Sequence, residues 1–164
     1  MATGAVKLLK VEFELIPVYE GQGYFSDIDV FLRARDFRLA GIQIDFVRPI
    51  NVRKVFFPGE PLWGKALYVP TIAHSLGRLQ QLQSNGDVGA ARKEMASSIA
   101  LYTAAKLPGF AFDEISNAEK IGLIKSLEGD QLRLGLVNAF RWAKAEEGLR
   151  RFWRLWHSLA AALK

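Results

Sequence analysis

Val11-Glu-Phe-Glu-Leu-Ile-Pro-Val-Tyr-Glu-Gly-Gln22 is the stretch on which the fold turns. From Leu9 to Ile16 the chain alternates. Val11, Phe13 and Leu15 point one way and Lys10, Glu12 and Glu14 the other, the period-two pattern of a strand with one solvated face. Pro17 ends it. Gly21 and Gly23 mark a turn, and Ser26 with Asp29 three residues on has capping-box spacing, so a helix is expected from Asp27. Ile28, Phe31, Leu32 and Arg35 follow at helical spacing, which predicts an amphipathic surface helix.

Outward from this unit, Arg38 to Val47 reads as a second strand through Leu39, Ile42, Ile44 and Phe46, and Ala66 to Val69 as a third. Pro49, Pro58, Gly59, Pro61 and Gly64 separate them. Strand, crossover helix, strand is the parallel unit of an α/β sheet, and the third strand can return antiparallel through the proline-rich connection. Glu12 and Glu14 share a strand face and invite an acid/base reading. The simpler account is a solvated sheet face balanced by Lys10 or Arg38.

Pro17, Tyr19, Glu20, Gly21 and Gln22, then Trp63, Gly64, Ala66 and Leu67, together resemble the carboxyl-terminal part of the FkbM-type methyltransferases, over about residues 8 to 70. The resemblance implies a partial Rossmann-like sheet whose three strands correspond to the fifth, sixth and seventh of seven, the last inserted antiparallel beside the fifth. It implies methyl transfer from S-adenosylmethionine to an acceptor hydroxyl of a sugar or natural product in the intact family. Two positions depart from the pattern. Lys65 stands where the family has an acid, and Asp36 stands where a glycine commonly ends the helix, a left-handed position that aspartate tolerates at some cost.

A cofactor site of this kind needs a glycine-rich turn after the first strand of the sheet and an acid after the second. Neither motif occurs here, so the chain is expected to bind no S-adenosylmethionine on its own, and no catalytic residue is assigned. What remains is the acceptor side of a cleft beyond the carboxyl ends of the strands. The candidate substrate-binding residues are Tyr19 and Trp63, which can stack on a ring, Glu20, which can accept a hydroxyl proton, and Gln22, which offers donor and acceptor together. The plainer alternative keeps Tyr19 and Trp63 as core aromatics and Glu20 as a solvated turn acid.

Residues 1–70 are thus expected to form the carboxyl-terminal half of a methyltransferase sheet, and residues 71–164 an all-helical extension. Helices are expected at about Thr71 to Gln83, Asp87 to Lys106, Asn117 to Leu127, Gln131 to Ala145 and Glu147 to Leu163. Their breaks are Asn85-Gly86, Pro108-Gly109, the Ser116/Glu119 capping spacing and Gly129-Asp130. In the last helix Leu149, Phe152, Trp153, Trp156, Ala160 and Leu163 form an apolar stripe beside Arg150, Arg154, His157 and Lys164. Such a helix packs onto the sheet, docks in a partner or lies peripherally on an anionic membrane.

The 164 residues contain no cysteine and two histidines, which removes disulfides and thiolate metal sites and leaves no metal site expected. Half the chain is hydrophobic, enough for a core rather than a disordered segment. There is no apolar run long enough to span a bilayer and no secretory signal, so a cytoplasmic location is expected. The net charge of +5 suits an anionic partner, but no reading motif accompanies the cluster Arg141, Lys144, Arg150, Arg151 and Arg154, which Glu146 and Glu147 interrupt. Nucleic acid is not expected. Partners expected at the edge of the first strand are a second copy of the chain or an amino-terminal methyltransferase half. The rival to the truncated or divergent methyltransferase segment is a non-catalytic module that binds a protein or membrane surface.

Overall fold

The computed structural model describes residues 6–15, 20–21, 23–47, 60–141 and 144. Tyr19, Gln22 and the helix expected over Glu147 to Leu163 lie outside them. Within them the chain is mixed α/β: strands β1 (Leu9–Glu14), β2 (Phe37–Val47) and β3 (Glu60–Pro70), and helices α1 (Phe25–Arg33), α2 (Ile72–Ser84), α3 (Val88–Ala104), α4 (Pro108–Lys120) and α5 (126–141). None of the described helices is long and apolar enough to cross a membrane.

The three strands form one antiparallel-paired sheet in the order β1–β3–β2. β3 is antiparallel to both neighbours, so β1 and β2 run the same way with β3 between them. The expected strand–helix–strand unit is therefore split: its strands share a direction but are not hydrogen-bonded neighbours. β1 gains a partner on one side, while its other edge pairs with no described strand. The register shifts twice along β2, between Leu39 and Gly41 and between Asp45 and Phe46. Such bulges bend the strand and re-aim its side chains.

One face of the sheet is covered by α1. Phe13, Leu32, Ala66 and Tyr68 are buried there, with Val11, Ile28 and Leu39 packed around them. α1 begins two residues earlier than its sequence suggests: Tyr24 is the cap residue, and its N–H donates to Asp27 Oδ2 at 2.8 Å. Ser26 is inside the first turn, and Asp29 is taken instead by Arg33, at 2.7 Å, and by the Tyr68 hydroxyl, at 3.0 Å. Phe31, expected on the packed face, is exposed beneath the Arg35 guanidinium, 3.5 Å from its ring centroid. Past the helix end at Arg33 the turn closes on Asp36, whose φ of 61° is the left-handed conformation expected of it. The Asp36 carbonyl then accepts from Thr71 N–H at 2.7 Å, tying this turn to the start of α2.

The second core belongs to the helices. Leu79, Met95, Ile99, Tyr102, Ile115 and Leu136 are buried together with Val69 of β3. Thr71 caps α2 and Asp87 caps α3, each accepting from the N–H three residues on. Three expected boundaries are corrected. Pro108 does not merely separate helices but occupies the first turn of α4, where its missing N–H costs nothing. Ser116 is inside α4, its hydroxyl donating back to the Phe112 carbonyl at 3.0 Å, so the helix expected from Asn117 begins nine residues earlier and ends by Gly122, at φ 68°. Gly129 and Asp130 lie within α5, where the Glu119 carboxylate, held by Arg133 at 2.5 Å, occupies the space beside Gly129.

Candidate functional site on the open sheet face

The pleat of β3 sends Ala66 and Tyr68 toward α1, and so turns Trp63, Lys65 and Leu67 to the opposite face. Register then decides their neighbours. Trp63 lies between Glu14 of β1 and Asp45 of β2, and Lys65 between Glu12 and Gln43. Lys65 Nζ stands 3.8 Å from Glu12 Oε1 and 3.8 Å from Asp45 Oδ2, an ammonium shared by two carboxylates. Gln43 Nε2 donates to the other oxygen of Asp45 at 3.1 Å. The balance of Glu12 is thus struck by Lys65 and not by Lys10 or Arg38. Arg38 reaches the helical layer instead, bonding Asp113 at 2.9 Å over the ring of Phe110.

A cleft of about 210 Å³ opens between Glu12, Trp63, Gly64 and Lys65. Trp63 is 49% exposed, so it is not the core aromatic of the plainer alternative. Across β1 from it, Glu14 Oε2 is buried and has no hydrogen-bond partner among the described residues. A second hollow of about 330 Å³ lies on the far side of Lys65, lined by Lys10, Gln43 and Leu67 among others. An indole with carboxylates, an amide and one ammonium around it offers a stacking surface and hydrogen-bond groups of both kinds. The described residues here include no nucleophile paired with a base.

Of the residues singled out in the sequence, Trp63 is in this cleft. Glu20 is exposed in the turn it forms with Gly21, at φ 77°, and makes no hydrogen bond or ion pair with any described residue. Glu12 and Glu14 do share a face, but Lys65 and Asp45 were not legible as members of the site. Their arrival depends on the β2–β3 register and its bulges.

A further polar cluster went unnoticed in the sequence. α4 buries Ala111, Ile115 and Ala118 on one face and Glu114 with them, 4% exposed. The Ser75 hydroxyl of α2 donates to Glu114 Oε1, while Oε2 has no partner among the described residues. Lys7 donates to the Glu94 carbonyl at 2.7 Å and stands 3.3 Å from its carboxylate, which Arg78 also approaches at 3.5 Å. Burial pushes the Glu114 carboxyl above its ordinary range, against the hydrogen bond from Ser75 and the charge of Lys7. Tyr102 on the same wall is pushed up to about 12, by burial and then by the charge of Glu114. The enclosed space is about 20 Å³, room for one water and for no substrate. The signal was an acid between Ala111 and Ala118 on an apolar helical stripe.

No known protein family, no curated protein and no solved structure matches the chain.

Proposed function

We propose that the chain is the carboxyl-terminal part of an FkbM-type methyltransferase, supplying the acceptor side of the cleft without a cofactor site of its own. The observation that carries the reading is the order β1–β3–β2, with the last strand inserted antiparallel beside the first. That is the arrangement the resemblance implies for the end of a Rossmann-like sheet. The open edge of β1 is then where the remaining strands of such a sheet add. The exposed indole of Trp63 beside the carboxyl end of β1 agrees with an acceptor position, since ligands of open α/β sheets bind beyond the strand ends.

S-adenosylmethionine supplies the methyl group in this family. This chain's residues position the acceptor: Trp63 stacks on its ring, and Glu12 and Glu14 accept from its hydroxyls. Orientation of this kind is what in-line transfer requires. Lys65, the departure from the family pattern, is neutralised by Glu12 and Asp45 and leaves the cleft acidic.

The test is a pair of titrations on the chain. Calorimetry with S-adenosylmethionine is expected to give no heat at millimolar ligand, and tight binding would overturn the absence of a cofactor site. A panel of glycosides and phenolic polyols, followed by the NMR signal of the Trp63 indole, is expected to shift that signal in the wild type. A panel that leaves it unmoved would overturn the acceptor assignment.

The rival, a non-catalytic interaction module, is favoured by one observation. Ile42, Ile44 and Phe46 are all exposed on β2, apolar side chains that a protein or membrane surface would cover. Concentration-independent sedimentation as a monomer, with no binding to anionic vesicles, would count against it.

A further inference from the structure

A cavity of about 660 Å³ lies away from the sheet, between the α3–α4 turn and α5. Its floor and walls are apolar: Ala104, Pro108, Phe112, Val137 and Phe140. Among the described residues that line it, the charged members are Lys106, Arg141 and Lys144, and none is an acid. Arg141 and Lys144, both helical, stand three residues apart, a spacing that places two residues of a helix on one face. Both are exposed, and among the described residues neither has an acidic partner.

Lys106 adds a separate observation. Its φ is 59°, the left-handed region in which glycine is the cheapest residue, yet the position closing α3 holds a lysine at the groove. An apolar trough whose charged groups share one sign is complementary to an amphiphile of the other sign. Its volume falls within the roughly 300–1,000 Å³ of small-molecule sites. A protein partner would need about 800 Å² of surface on each side.

We propose that this groove binds a free long-chain fatty carboxylate, with the tail in the apolar trough and the head between Arg141 and Lys144. The site is independent of the methyltransferase reading, and its chemistry is retention of an anionic single-chain lipid.

The test is calorimetric titration of the full chain with dodecanoate below its micelle concentration, beside decanoate and dodecyltrimethylammonium. Saturable one-to-one binding of dodecanoate is expected. It should weaken by about fourfold per methylene removed, the fold-change equivalent of burying one CH₂. The cationic amphiphile of equal tail should bind at least about tenfold more weakly, because charge-assisted contacts to the head are lost. Arg141→Glu with Lys144→Glu should abolish the preference for the carboxylate. Charge reversal on a helix can also unfold it, so Arg141→Gln with Lys144→Gln is the second variant: it removes the two charges without reversing them, and should hold the melting temperature while weakening dodecanoate binding. No saturable binding to the full chain overturns the proposal, whether the groove is closed, filled from within the chain or covered by a second copy. Equal binding of the two head groups, or unchanged binding in folded variants, overturns it as well.

Discussion

Phe13 and Gly64 are register partners across β1 and β3, and the Phe13 ring fills the space where a Cβ on Gly64 would stand. The same Cβ would come within 2.7 Å of the Gln43 carbonyl oxygen on the other neighbouring strand. Gly64 is therefore a packing requirement from both sides: the glycine of Trp63-Gly-Lys65 lets an aromatic ring cross the central strand. That ring is 3% exposed and meets Phe25 of α1 at 4.6 Å between centroids, so the crossing also seats the helix.

Gly64→Ala should accordingly destabilise the fold by about 1–3 kcal/mol, the cost of overpacking a core position. Urea denaturation would read this as a lower midpoint with unchanged slope. Phe13→Leu in the same background should cost less than the sum of the single changes, because a smaller side chain clears part of the collision. Additive losses would show that the Gln43 carbonyl, and not the ring, is the obstacle.

Tyr68 is fully buried, and its hydroxyl donates to Asp29 Oδ1 at 3.0 Å, joining the centre of the sheet to α1. The hydrogen bond from Arg33 holds the Asp29 carboxyl below its ordinary range, with that from Tyr68 helping, against partial desolvation. A depressed carboxylate contributes stability that is present above the unfolded value and lost as pH falls through the folded one. Tyr68→Phe should cost about 1.5–3 kcal/mol at neutral pH, as for a bond to a charged acceptor. Its deficit should shrink in acid as Asp29 is protonated in both proteins. Melts from pH 7 down to the lowest pH at which both proteins fold would show it.

Glu114 has the opposite sign. Its folded carboxyl is raised by burial, so below the ordinary glutamate range the protonated side chain costs nothing in the fold. As pH rises through that range the unfolded chain ionises first. The folded state binds the extra proton, and stability falls until Glu114 itself ionises. Glu114→Gln keeps an acceptor for the Ser75 hydroxyl and removes the ionisation. The variant should therefore gain on the wild type as pH rises above about 4.5, the ordinary glutamate value, and then hold a constant difference. Parallel stability profiles from pH 4 to 8 would refute a buried charge at this position.

Alternation carried the strands well, because a period of two survives in any half-covered sheet, and Asp36 betrayed its positive φ by standing where a glycine was expected. The helix boundaries were less legible for a specific reason. Ser116 and Glu119 have the spacing of a capping box, but the same serine can bond back to the carbonyl four residues earlier and remain inside a helix, as it does here. Pro108 is ambiguous in the same way, since proline both breaks a helix and starts one. The open-face cleft was half legible: Trp63 stood out as an aromatic beside glycine. Lys65, Asp45 and Gln43 join it through a register that two bulges set, and bulges leave no pattern in a single sequence.

Lys65 makes that point testable. It stands 3.8 Å from each of two carboxylates, at a distance and exposure where single surface pairs contribute little, so Lys65→Ala should change stability by less than about 1 kcal/mol. Lys65→Asp, which places here the acid of the pattern that the sequence resembles, behaves differently. It sets an acid between Glu12 and Asp45 with no cation to separate them. Like charges facing one another across strands destabilise by about 0.2–1 kcal/mol each, so the aspartate variant should be the less stable of the two at low ionic strength. At about 1 M salt the Debye length falls to about 3 Å and the two variants should converge. If they stay apart at high salt, the difference comes from how alanine and aspartate suit a central strand, and the charge balance of the cleft is secondary.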